Sequence, residues 1–401
     1  MSTEIKFASA ITTERDIDHV VQSLEQDIRA QIDSSELDFL FVFFSSQWAT
    51  VAPAIADRLY TVFNPRLLIG CTCEGVIGKE REIERERAVS VVAAQLPKVT
   101  LVPFSFNSDD WATLEEADAF RKLVGLPVET RLVVLFADPY STPIDGVLDA
   151  FNMHYPGIPL VGGMASGGGQ AGSNVLVLND RAFMSGAVGV ALAGDFDVDV
   201  IVSQGCRPFG RTFTVSDAEE NILRELEGTP TLEQVHKLVA ELSDDDRALL
   251  KNGLFVGRAI HSGDLGRGDF LVRSVVGIDR SSGAIGVGDS IHTGETIQFH
   301  LRDQNTAEED LEMLLMPQSL DEPPAGMLLF SCNGRGTRLY DHPNGDISII
   351  QGILGNVNLA GFFCAGEIGP IAGKNFLHGH TASIAMFRPR AQTLDIDSNP
   401  R

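Results

Sequence analysis

Basic residues are few. Lys and Arg number 31 against 55 Asp and Glu, which gives a net charge of −24 and a pI near 4.7. No stretch is dense in Lys or Arg. Sequence-independent binding of DNA or RNA needs a basic face that displaces phosphate counterions, so nucleic acid is excluded as a partner. The same charge disfavours docking on anionic lipid and favours a basic partner surface. Apolar runs are short, and none approaches the ~18 residues that would span a membrane as a helix. Met1–Asp16 has neither a basic n-region nor an apolar h-region, so no secretion signal is expected and the expected location is the cytoplasm. Cysteine is sparse and odd in number: Cys71, Cys73, Cys206, Cys332 and Cys364. Such a set reads as reduced thiols rather than a disulfide framework. Cys71-Thr-Cys73 is C-x-C with no second pair, which supports structural zinc only weakly.

Catalytic signatures are missing too. Gly369-Pro-Ile-Ala-Gly373-Lys374 is one residue short of a Walker A loop, and Asn375 stands where a hydroxyl belongs. Gly334-Arg-Gly336 lacks the third glycine of a dinucleotide fingerprint, and no G-x-S-x-G, H-E-x-x-H or kinase set occurs. What is plentiful is apolar content, 44% of 401 residues, and glycine, 39 residues. That length and composition support two or three folded units.

An internal repeat organises the chain. Phe39–Ser46, Arg131–Pro139 and Gly326–Gly334 each read as a strand. Each is followed by a helical stretch and a second strand, at Arg66–Gly75, Ile158–Gly167 and Asn358–Gly366. Phe44 to Gly70 and Phe136 to Gly162 are both 26 residues, and Phe330 to Gly361 is 31. The middles keep helical period: Ile55, Leu59, Val62 and Phe63, then Ile144, Leu148, Phe151 and Tyr155, then Ile349, Ile350, Ile353, Leu354 and Val357. A further strand follows each unit, at Ala88–Ala94, Ala187–Ala193 and Ala382–Phe387. The continuous apolar runs imply strands covered on both faces. Elsewhere, Glu14–Ile32, Ser216–Gly228, Thr231–Leu242 and Thr306–Leu315 read as helices, and Phe270–Ile278 with Ala284–Leu301 as a strand pair. Lys79–Arg87 reads as a solvated charge run.

The expected fold class is therefore α/β, with internally repeated strand–helix–strand units in two packed halves. Each second strand is expected to close in a glycine turn, at Gly70, Gly162 and Gly361, and the three turns to face one side. Glycines at strand carboxyl ends leave backbone N–H groups open to a ligand. The turns supply the candidate ligand-binding residues Gly70, Thr72, Glu74, Gly162, Gly163 and Ser166. A second group lies near the C-terminus: Cys332, Arg335, Gly366, Glu367, His378 and His380. Arg335, set between glycines, is expected to reach an anionic group bidentately. Glu367 is expected either to take an amine or to neutralise Arg335. His378 and His380 share a face if Leu377–Phe387 is one extended segment, as metal or haem ligands or as a structural pair. Cys332 is either a reactive thiolate or a small buried apolar residue.

At Leu329–Gly336, Ala360–Pro370 and Leu377–Pro389, and in the N-terminal half at Gly70–Gly78 and Pro159–Gly168, the chain resembles the FIST domain family, named for F-box and intracellular signal transduction. The resemblance runs in order over about residues 38–390 and implies a standalone bacterial-type member. It implies an N-terminal helix over 1–37, a FIST N-terminal domain over 38–225, a FIST C-terminal domain over 226–390 and a tail over 391–401. It implies sensing rather than turnover: a cytosolic protein that binds a small ligand such as an amino acid and regulates a signalling partner. In a subset of the family it implies haem, nitric oxide and a histidine kinase as partner, with His378 or His380 as the haem ligand. A thiol- or His/Glu-dependent enzyme is the remaining alternative.

Overall fold

The computed structural model describes residues 4–32, 36–266 and 268–390. The first unit runs β1 (Lys6–Thr12), α1 (Ile17–Arg29), β2 (Phe39–Ser45), α2 (Ala52–Phe63), β3 (Leu67–Cys73), β4 (Gly75–Gly78), β5 (Arg81–Glu84) and β6 (Val89–Gln95). Asp16 caps α1 by accepting from the His19 N–H, and Val20, Val21, Leu24 and Ile28 form its buried stripe. Asn64, in the left-handed region, ends α2. The strand β1 precedes the helix that periodicity places in 1–37.

The second unit repeats the order: β7 (Val99–Phe106), α3 (Ala117–Val124), β8 (Thr130–Ala137), α4 (Ile144–His154), β9 (Leu160–Met164), β10 (Leu176–Leu178), β11 (Arg181–Phe183) and β12 (Ala187–Gly194). The third opens with β13 (Phe196–Gln204) and is then interrupted. The inserted segment holds β14 (Cys206–Glu219), β15 (Ile222–Leu226), β16 (Thr229–Pro230), α5 (Thr231–Glu241), α6 (Asp244–Leu249), β17 (Phe255–Ala259), β18 (Phe270–Asp279), β19 (Ala284–Val287) and β20 (Thr296–Arg302). The third unit resumes with α7 (Gln304–Leu315), β21 (Gly326–Cys332), α8 (Gly345–Leu354), β22 (Leu359–Cys364), β23 (Glu367–Ile371), β24 (Lys374–His378) and β25 (Thr381–Pro389).

Each unit builds one six-stranded sheet, and each sheet is completed by another unit's hairpin. The orders are β1-β6-β2-β3-β10-β11, β7-β12-β8-β9-β23-β24 and β13-β25-β21-β22-β4-β5. The first unit's hairpin thus extends the third sheet, the second's extends the first, and the third's extends the second. This cyclic exchange means that no unit has a complete sheet by itself. The repeated pairs β2/β3, β8/β9 and β21/β22 are parallel. The inner faces of the three sheets share one core, where Phe43, Phe136, Phe330 and Phe362 pack with ring centroids 5.0–6.3 Å apart. The outer faces are covered by α1 and α2, by α3 and α4, and by α7 and α8. The α/β architecture of repeated strand–helix–strand units is as the sequence implies.

Three details differ from the sequence reading. Gly70, Gly162 and Gly361 lie inside β3, β9 and β22, not in the turns beyond them. A Cβ there would fall 1.7, 2.0 and 1.7 Å from the carbonyl oxygens of Val42, Leu135 and Leu329 on the neighbouring parallel strand. These glycines permit close strand approach. Ser216–Gly228, rich in helix formers, is the end of β14 and a hairpin into β15, turned at Glu220 with φ 52. Burial of Leu223 and Leu226 in the inserted core overrides the local propensity. In addition, the strand expected over Ala284–Leu301 is split into β19 and β20.

Candidate functional site

The parallel strands all end at one place. Four residues beyond Val42, Leu135 and Leu329 stand Ser46, Pro139 and Asn333; four beyond Gly70, Gly162 and Gly361 stand Glu74, Ser166 and Ala365. All six line a single cavity of about 600 Å³, with Gln47, Arg85, Tyr140 and Gly167–Gly169 completing its wall. Two rings of equivalent positions, one residue from each unit, thus surround the site. The repeat phases predict the convergence; Ser46, Gln47, Arg85, Tyr140 and Asn333 carry no signal of their own in the sequence. Counting the same offset from each repeat would have found Ser46 and Asn333. Arg85 was hidden in a charge run that reads as solvated.

Local bonds fix the walls. Ser166 Oγ accepts from the Glu74 N–H at 2.8 Å and donates to the Phe363 carbonyl at 2.5 Å, so one hydroxyl ties all three units together. Thr72 braces the floor, donating its N–H to Val175 O at 2.8 Å and accepting the Val175 N–H on Oγ1 at 2.9 Å. Tyr140 donates to Gly168 O at 3.0 Å. Glu74 is bound by both terminal nitrogens of Arg338, whose Nη1 also donates to Asn333 O at 2.8 Å. Arg85 is exposed, has φ 61 and forms no ion pair among the described residues. Asn333 Oδ1 is buried without a partner. Among the described residues the cavity therefore offers one cation without an ion pair and one carboxylate shared with an arginine.

The C-terminal candidates form a separate layer behind the Asn333 wall. Arg335 is not free for an anion: its Nε and Nη2 grip Asp346 at 2.6–3.1 Å, with side-chain exposures of 1% and 0%. Tyr340 and Ser331 each donate to the same carboxylate at 2.7 Å. Glu367 does not neutralise Arg335. Its Oε2 accepts from the N–H and Oγ1 of Thr381 at 3.2 and 2.8 Å. Gly163 and Gly366 lie where β9 meets β23, packed under Cys364 and Leu377 rather than open to the cavity. His378 and His380 do not share a face. His378 ends β24 with Nε2 on Gly369 O at 2.9 Å; His380 sits in the turn beyond it with φ 63.

Burial sets the titration of this layer. It pushes the Glu367 carboxyl up to about 8, with the Thr381 bonds opposing it, and pulls His378 and His380 down to about 4. Between its ordinary 4.5 and about 8, folded Glu367 holds a proton that the unfolded chain has lost, so stability falls as pH rises through that window. The histidines act oppositely between about 4 and 6.5, where only the unfolded chain is protonated. From pH 6.5 to 8 only the carboxyl contribution remains, worth about 2 kcal/mol per group over that span. The melting temperature is expected to drop from pH 6.5 to 8, and Glu367→Gln to remove part of the drop, the rest belonging to buried Glu82, whose carboxyl is likewise pushed up to about 8. Equal drops in the two proteins would show that Glu367 is ionised throughout.

The candidate haem ligands are poorly placed for haem. His378 is buried with its Nε2 on Gly369 O, and three cavities among the described residues, of about 990, 600 and 350 Å³, are lined by neither His378, His380 nor Cys332. Among the described residues no group of three His, Cys, Asp or Glu is arranged to hold a metal ion. Burial also pushes the Cys332 thiol far up, against the thiolate that a nucleophile or haem ligand needs. Among the described residues, no helix is long and apolar enough to cross a membrane.

Fold and cavity together define a class: an α/β protein whose parallel strands end on one shared hollow, the place where such proteins bind ligands. The chain belongs to the FIST family. The FIST N domain matches residues 38–229 and the FIST C domain residues 232–370. FIST domains are sensory domains of signal transduction. An uncharacterised protein of Mycobacterium tuberculosis is 39% identical over 328 residues, 81% of this chain and 84% of that protein. Another, of Mycobacterium bovis, is 37% identical over 340 residues, covering 84% and 86%. Among solved structures, a cyanuric acid hydrolase from A. caulinodans aligns over 96% of this chain and 100% of its own, at 7% identity and a TM-score of 0.38. A second cyanuric acid hydrolase aligns at 9% identity and 0.34. Likeness at that level says nothing about activity.

Proposed function

We propose that this protein is a sensory ligand-binding protein that holds a small zwitterion of the amino-acid type in the cavity at its strand ends and acts on a signalling partner. The observation that carries the reading is the meeting of all three units on one polar hollow of about 600 Å³, with unpaired Arg85 and half-engaged Glu74 in its wall. Arg85 suits a carboxylate, and Glu74 suits an ammonium group. The net charge of −24 suits a partner with a basic face, and a histidine kinase is the candidate implied by the family resemblance. An enzymatic reading through Cys332 is disfavoured by the burial of its thiol.

A melting-temperature screen of the twenty amino acids tests the proposal. A ligand present at about 100 times its dissociation constant adds about 2.7 kcal/mol of stability. One or a few amino acids are expected to raise the melting temperature, and Arg85→Ala is expected to lose most of that rise. A flat response to all twenty would sink the amino-acid assignment.

A further inference from the structure

The inserted strands close on themselves, because β14 pairs with both β20 and β15. The chain enters this small barrel at Cys206 and leaves it at Arg302, and the barrel grips the third unit directly behind the cavity. Arg302, the last residue of β20, donates to Gly334 O, one residue beyond Asn333. Gly205, at the entry, donates its N–H to His380 O at 3.0 Å. His380 Nε2 meets Ser274 Oγ of β18 at 3.2 Å, and its ring stands edge-on to Phe255 of β17 at 4.6 Å. A side chain at Gly334 would put its Cβ 2.9 Å from His380 Nδ1, so imidazole and cavity loop are in contact.

That junction is only partly satisfied. Among the described residues, Asn333 Oδ1, Arg335 Nη1, Glu367 Oε1 and His380 Nδ1 are buried with no hydrogen-bond partner, half of all such side-chain atoms. Arg335 and Glu367 are themselves 1% and 0% exposed. Buried polar groups are normally paired, and a network with four open valences invites a second arrangement that closes them. His380 also holds a sparsely populated backbone conformation, φ 63, held by its bonds to Gly205 and Ser274 and its contact with Phe255. Such a joint has what a two-state coupling element needs.

We infer that Arg302 and His380 are positioning residues that couple the Asn333 wall of the cavity to the seat of the inserted barrel, so that what occupies the cavity is read out in β17 and β18. The inference takes the cavity as the sensing site, but it concerns a mechanical link that exists with or without an amino-acid ligand. By reciprocity, a partner that shifts the barrel changes the affinity of the cavity.

Hydrogen exchange on the full chain, without ligand, tests the link. Asn333→Ala removes the side chain at the point where the cavity wall meets the junction. It is expected to change amide exchange in 255–259 and 270–279 at least threefold. In an Arg302→Met background the same substitution is expected to leave those amides as Arg302→Met alone leaves them, and Arg302→Lys, which keeps a donor, is expected to restore the response. A merely structural arginine would give no such dependence of one substitution on the other. The inference is overturned if Asn333→Ala changes exchange at 166–169 but not in β17 and β18, if it changes exchange nowhere, or if the response survives Arg302→Met. Should Asn333→Ala not fold, Asn333→Asp is read in the same way. A flat amino-acid screen with an intact Asn333 response would refute the proposed ligand and keep the coupling.

Discussion

Gly361→Ala is expected to abolish the folded state at ordinary temperature. The new Cβ would lie 1.7 Å from Leu329 O and 2.7 Å from its carbonyl carbon. Both contacts are backbone atoms of the paired strand β21, so no side-chain rotation relieves them. Relief requires β21 and β22 to part in the middle of a sheet whose residues are buried on both faces. Ordinary overpacking costs ~1–3 kcal/mol, and forcing apart a hydrogen-bonded strand pair exceeds that against a total stability of ~5–15 kcal/mol. Gly352→Ala is the matched control. Gly352 lies in α8 with nothing within 4 Å of its Cβ position. Alanine there is expected to stabilise by about 0.5–1 kcal/mol, because glycine in a helix interior costs that much. The check is the denaturant midpoint of soluble protein. A Gly361→Ala protein that unfolds like the parent would mean that the strands have slack the sheet geometry does not show.

The same glycines explain what the sequence could and could not disclose. Gly70, Gly162 and Gly361 each lie opposite an equivalent residue of the paired strand, Val42, Leu135 or Leu329, because the parallel pair forces the same close approach at each repeat. Phe43 rather than Phe44 is thus the equivalent of Phe136 and Phe330, so the two 26-residue spacings do not join equivalent positions. Their role was harder to read: a glycine near a strand end looks like a turn, and only the carbonyl of the neighbouring strand shows otherwise. The hairpin exchange was out of reach. Val76 pairs with Phe362, and Gly162 with Ile368, across most of the chain, and no local period encodes such a partner. The inserted barrel misled for the same reason, since Ser216–Gly228 is strand only in the presence of β19 and β20. The site was half legible. Glu74 and Ser166 follow from the repeat, whereas Arg85 needed the fold to bring it to the cavity.

Arg335 is where the chemistry read from sequence and the chemistry of the structure part most clearly. The sequence points to a bidentate grip on a ligand anion; the carboxylate its fork holds is Asp346, eleven positions on in the same chain. Burial alone would raise the Asp346 carboxyl, yet the guanidinium overrides it and holds that carboxyl below its ordinary range. Burial and the nearby Asp346 charge push the neighbouring Glu82 carboxyl up instead. The pair is therefore a charge-balanced knot under the cavity wall, completed by Tyr340 and Ser331. Arg335→Met is expected to destabilise the protein by about 3–5 kcal/mol, because it leaves a buried carboxylate with only hydroxyl donors. Asp346→Leu alone is expected to cost a similar amount by stranding the guanidinium. The double variant Arg335→Met with Asp346→Leu removes both charges and is expected to recover most of the loss, since a buried ion pair is roughly matched by well-packed apolar groups. Denaturant unfolding of the three variants gives the cycle. Losses that simply add would show that the two charges act independently, and that the fork of Arg335 is turned to something other than Asp346 in solution.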